Sequence, residues 1–204
     1  MIIDNKSLET ALKNLQDTGM VGVPETIRIA IPDARENLEN ALNKVIGEQP
    51  LQWLPEYDEI VDWLADNEGR GLFCYGNVGR GKTLICAKAI PVLLNCIYHK
   101  VVEVVDAVTM NNQFRNAGKN EPKIKTAYLK CVDDVGTESV LVEYGNKHEV
   151  FNEVVDEAER KGYLLLVTTN LTLDEFVKRY GERTLDRLRH ITKCVKFKGD
   201  SLRN

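Results

Sequence analysis

Gly76-Asn77-Val78-Gly79-Arg80-Gly81-Lys82-Thr83 decides the fold of this 204-residue chain. The stretch has the G-x-x-x-x-G-K-[ST] spacing of a phosphate-binding loop, and its flanks suit one. Gly71–Tyr75 (Gly-Leu-Phe-Cys-Tyr) reads as a short buried strand, and Lys82–Cys96 reads as a helix. A glycine-rich turn between strand and helix points successive backbone N–H groups at one spot, which the helix dipole also makes positive. Gly76, Asn77, Val78, Gly79, Arg80, Gly81, Lys82, Thr83 and Leu84 are therefore expected to hold a nucleotide, ATP. Lys82 would reach the β- and γ-phosphates, and the Thr83 hydroxyl would ligate Mg²⁺.

On the C-terminal side of the loop, strands and helices alternate. Strands are expected at Lys100–Val105, Thr126–Asp133, Tyr163–Thr168 and Lys193–Lys198. Helices are expected at Ala107–Asn116, Asn146–Lys161, Thr172–Tyr180 and Glu182–His190, and Pro91 predicts a kink or early end in the helix after the loop. With Gly71–Tyr75 this makes an α/β domain, a five-stranded parallel sheet with helices on both faces. On the N-terminal side, Leu8, Leu12 and Leu15 follow Ser7 at helical spacing, and further helices are expected at Asp33–Ile46 and Pro55–Asn67. The expected division is a small helical extension at residues 1–50 and an ATPase domain at 51–204.

Two further strand ends carry chemistry. Leu129-Lys130-Cys131-Val132-Asp133-Asp134 is an apolar strand closing on two carboxylates. Asp133 would hold Mg²⁺ through its water shell, and Asp134 would orient and polarise the attacking water. Lys130 inside this strand is expected to face a solvated edge or to snorkel. Leu164-Leu165-Leu166-Val167-Thr168-Thr169-Asn170 delivers an amide to the same end of the sheet, where ligands of parallel sheets collect, and Asn170 could help hold the water. A turn-forming or capping role for Asn170 stays open.

Other classes lose ground. The longest apolar runs, Tyr163–Val167 and Val101–Val105, fall far short of the roughly 20 residues of a membrane span. Met1-Ile2-Ile3-Asp4-Asn5-Lys6 lacks the basic start and apolar core of a signal peptide, so a cytoplasmic protein with no membrane partner is expected. Five cysteines without a C-x-x-C pair read as buried thiols, and the three histidines are unclustered. Charge is uneven: residues 1–70 hold 14 acidic and 6 basic side chains, residues 71–204 hold 17 and 21. An acidic arm suits a basic protein partner, although a solvated helix face has the same composition.

Taken together, the chain resembles the AAA+ ATPases of the DnaC/IstB kind, helicase loaders and transposition helpers. The matching pieces are the phosphate loop, Cys131–Gly136, Thr168-Thr169-Asn170-Leu171, Tyr180–Arg183 with Asp186-Arg187-Leu188, and Phe197–Arg203. By position, the resemblance makes Arg187 an arginine finger offered to a neighbouring subunit's ATP, with Arg183 as its substitute. It makes Arg203 a sensor of the γ-phosphate in its own subunit. It further implies slow, assembly-dependent hydrolysis catalysed through Lys82, Asp134, Asn170 and Arg187, nucleotide-dependent self-association, and a replicative helicase as partner. A transposase partner and a non-catalytic, ATP-locked binding module are the alternatives. Two departures stand out. Arg80 replaces a small residue and could lie outward or contact phosphate. The segment where loaders place a helix for single-stranded DNA offers only Arg115, Lys119, Lys123, Lys125 and Phe114, a thin site, with an ordinary polar loop as the alternative.

Overall fold

The computed structural model describes residues 26–116, 127–143 and 146–202, and four positions before them, Lys6, Glu9, Thr10 and Lys13. The leucine-spaced helix expected around Leu8–Leu15 lies for the most part outside the described residues, as do Lys119, Lys123, Lys125 and Arg203.

Helices α1 (Ala34–Ile46) and α2 (Pro55–Ala65) lead into β1 (Gly71–Gly76). After the phosphate loop come a π-helical stretch (Leu84–Ala89), α3 (Ile90–Tyr98), β2 (Glu103–Asp106) and α4 (Ala107–Asn116). The chain continues through β3 (Leu129–Val135), a hairpin of β4 (Leu141–Glu143) and β5 (Asn146–His148), and α5 (Val150–Lys161). It closes with β6 (Leu164–Thr169), α6 (Leu173–Tyr180), α7 (Glu182–Ile191) and β7 (Thr192–Phe197). The main sheet has the order β2-β3-β6-β1-β7, and every pairing in it is parallel. Its central strands β1 and β6 read as nearly continuous apolar runs because both of their faces are buried. Leu72, Cys74, Cys131, Leu166 and Phe197 face α1, α2 and α3, whereas Phe73, Val132, Leu165 and Val167 face α4 to α7.

Three expectations are corrected. Pro91 does not bring the helix to an early end; the helix runs past Cys96 to Tyr98. A proline cannot donate to the carbonyl four residues back and its ring crowds that carbonyl. The π-helical stretch just upstream, with Ile90 N–H reaching Ile85 O, shifts the register before the proline is met. The helix expected from Asn146 starts at Val150, because residues 146–148 pair with 141–143 as an antiparallel hairpin. Lys130 does not snorkel: it is 0% exposed, on the sheet face toward α5, with Nζ 4.4 Å from the centre of the Tyr163 ring. Burial lowers its pKa to about 8, although Glu157 pulls it upward.

The first described helix is not a detached arm. Ile29, Ile31, Leu38 and Leu42 are fully buried in the same core as β1 and β6. Asn67, itself buried, fixes the entering chain by accepting from Ile29 N–H and donating to Ile27 O and Arg70 O.

Candidate nucleotide site

The chemistry-bearing residues of the candidate nucleotide cavity hang from the carboxyl ends of three adjacent parallel strands. The phosphate loop follows β1, the two carboxylates end β3, and Asn170 follows β6. The cavity is about 400 Å³ and is lined by Val78–Leu84, Asp134, Asn170 and Leu202, and on its far side by Ile46, Gln49–Gln52 and Tyr57.

The loop adopts backbone angles that glycine permits. Gly76 sits at φ +112, where a Cβ would lie 2.3 Å from Phe197 O, and Gly79 sits at φ +74 against Ser201. Lys82 is 4% exposed and its ammonium donates to Gly76 O (2.9 Å) and Asn77 O (2.6 Å), so the charge is held over the loop rather than in solvent.

The end of β3 is irregular in a way that serves the site. Its register against β6 shifts between Val132 and Val135, and Asp134 takes a left-handed φ of 52. A bulge at a strand end re-aims side chains. Here it keeps Asp133 buried beside Thr168 and turns Asp134 to the cavity. Thr168 Oγ1 donates to Asp133 Oδ1 (2.5 Å) and accepts from Asp134 N–H (2.9 Å), while Asn170 Nδ2 donates to Asp134 Oδ1 (3.3 Å). Burial raises the Asp133 carboxyl above its ordinary range, and hydrogen bonds from Thr168 and Thr83 work against the rise. That hydroxyl and carboxylate, side by side at a glycine-rich cradle, are a hard oxygen donor set of the kind that suits Mg²⁺.

A network behind the cavity fixes the next turn of chain. Arg179 donates to Gly136 O (2.6 Å) and to Glu138 O, Tyr180 OH donates to buried Glu138, and Gly136 N–H donates to Glu138 Oε2 (2.8 Å). Arg179 is thus spent inside the chain. Arg187, two turns along the same cationic series, lies outside the cavity lining on α7 and is paired with Asp156 and, at 3.1 Å, Glu159 of α5. Arg183 is exposed beside a groove between α6 and α7. Arg115 is exposed at the end of α4.

Arg80 lies neither outward nor over the loop. Its guanidinium turns back to Glu56 of α2 (3.3 Å) and to Asp200 O (3.3 Å). Sequence reasoning missed Glu56, Thr168 and the Gln49–Gln52 wall. Thr168 was legible as a hydroxyl one strand away from two acids; the other two come together only in space.

The chain is 30% identical over 166 residues to the replicative helicase loader DnaC of Escherichia coli K12, which covers 79% of this chain and 67% of that relative. The crystal structure of the DnaC helicase loader matches the fold with a TM-score of 0.55 at 14% identity, over 83% of this chain and 93% of that one. AMPPCP-bound DnaA from Aquifex aeolicus gives a TM-score of 0.52 at 16% identity, over 74% of this chain and 49% of that one. No protein-family model matches the sequence. Among the described residues, no helix is long and apolar enough to cross a membrane.

Proposed function

Because the chain belongs to the family of DnaC-type helicase loaders, AAA+ proteins of the P-loop class, we propose that it is an ATP-dependent loader of a replicative helicase. The observation that carries this reading is the convergence of Lys82, Asp134 and Asn170 on one cavity at the carboxyl edge of the sheet. The loop N–H groups and Lys82 bind the phosphates, with the base toward Gln49–Gln52 and Tyr57. Thr83 and Asp133 would hold Mg²⁺, which would supply positive charge to offset that of the phosphates. Asp134, steadied by Asn170, orients the attacking water and takes its proton.

Arg187 serves a neighbouring subunit. Its present partners on α5 are half-exposed, and such pairs contribute about 0–1 kcal/mol, so a neighbour's γ-phosphate competes with them readily. Turnover then reports assembly, and binding and release of the helicase follow the nucleotide state. Arg203 reads the γ-phosphate in its own subunit, and the acidic arm and single-stranded DNA contacts at Arg115, Lys119, Lys123 and Lys125 complete the proposal.

Co-purification with the replicative helicase of the same source tests the reading. Retention of the helicase that rises with Mg²⁺-ATP and disappears in Lys82→Ala is expected. Retention of a transposase and not of the helicase would move the chain to the transposition helpers.

A further inference from the structure

Glu56 and Arg80 form a buried ion pair, 7% and 9% exposed, at a place where nothing in the chemistry of phosphate transfer calls for one. The other contacts of this pair, and those of the neighbouring loop residues, point to a single stretch of chain. Lys198 N–H donates to Glu56 Oε1 (2.7 Å), Asn77 Nδ2 donates to Gly199 O (2.8 Å), and Arg80 Nη1 donates to Asp200 O (3.3 Å). Ser201 fills the space over Gly79, where a Cβ would stand 2.0 Å from its Oγ, and Leu202 N–H donates to Gly79 O (3.0 Å). Five consecutive residues after β7 are thus fastened to the phosphate loop or to the carboxylate that anchors it. Leu202 forms part of the cavity wall itself.

We propose that Arg80 is a positioning residue: with Glu56 it fastens residues 198–202 across the phosphate loop as a strap, so that strap closure and nucleotide binding are one equilibrium. The N–H groups that receive phosphate belong to a loop whose Gly79 carbonyl and Asn77 side chain are already held by the strap. Loosening the strap therefore frees the loop, and a bound nucleotide that orders the loop tightens the strap in return, by the reciprocity of linked equilibria. Only a forked guanidinium reaches Glu56 and the Asp200 carbonyl at once; a lysine offers a point charge. The inference rests on the nucleotide reading of this cavity.

Hydrogen exchange at the Lys198 and Leu202 amides, read beside the affinity for Mg²⁺-AMPPCP, tests it. The proteins are the full chain, Arg80→Met, Arg80→Met/Glu56→Gln, which leaves no lone buried charge if the single variant folds poorly, and Asn77→Ala. The analogue should slow both amides in the wild type. In the variants, both amides should exchange about tenfold faster without nucleotide, and affinity should fall by a similar factor. Exchange in β1 and β6 should stay unchanged. Variants with a loosened strap and wild-type affinity would overturn the coupling, as would weakened affinity with the strap still protected. A wild type that binds no AMPPCP would sink the site reading itself and the coupling with it, an outcome distinct from both.

Discussion

In the proposed mechanism, Asp134 is the residue on which catalysis turns. It is held at a left-handed φ by a strand-end bulge, and such strain persists where the surroundings enforce it, here through Thr168 and Asn170. Asp134→Asn keeps the oxygen that accepts from Asn170 but can no longer take a proton. Turnover should fall about a hundredfold or more with nucleotide affinity little changed. Wild-type hydrolysis by Asp134→Asn would place the base elsewhere. Lys130 makes a second, independent claim at this scale. Its pKa of about 8 lies below the roughly 10.4 of an unfolded lysine, so the folded chain has released a proton that the unfolded chain still holds between those values. Stability from this group rises with pH across that window, and the whole cost is present below pH 8. It amounts to about 3 kcal/mol, lessened by the cation–π contact with Tyr163. Lys130→Met should melt no lower than wild type at pH 7, and its advantage should shrink toward pH 10.5. An advantage that is constant with pH would mean that the lysine is not titrating there.

In the proposed assembly, helices α5 and α7 set the reach of the finger. Asp156 and Glu159 project from one, Arg187 from the other, and the pair orients the guanidinium at the surface without locking it. Arg187→Ala should keep nucleotide affinity and cost little in Tm, because half-exposed pairs are weak. Assembly-stimulated turnover should drop about 10³-fold, the usual effect of losing a finger. If assembled Arg187→Ala turns over normally, the finger passes to Arg183, one turn earlier and exposed. Helix α6 has a different task. Its N-terminus is set by a capping box between Thr172 and Glu175 just after Asn170, and its C-terminal Arg179 and Tyr180 hold the chain beyond Asp134. The ends of β6 and β3 are thereby pinned to one rod.

At the scale of the whole molecule, local signals and distant contacts were unequally readable. The loop spacing, the paired acids and the alternation of strands and helices are local, and they sufficed for the sheet and for the residues that meet in the cavity. What escaped was set by contacts far apart in sequence. Arg80 answers to Glu56 and to Asp200, and the far wall of the cavity comes from Gln49–Gln52, ahead of every recognisable motif. A lysine inside a strand suggests a solvated edge or a snorkelling side chain; only the packing of α5 and Tyr163 over Lys130 shows otherwise. The described helices before β1 belong to the same body, since Leu38 and Leu42 are buried against the sheet. On the proposed reading, the molecule is one device in which a nucleotide can reach both flanks of the chain. Calorimetric titration of the full-length protein with Mg²⁺-ATP, wild type beside Lys82→Ala, tests that central claim most directly. One site per chain in the wild type and none in the variant is predicted; equal binding by both proteins, or by neither, would contradict it.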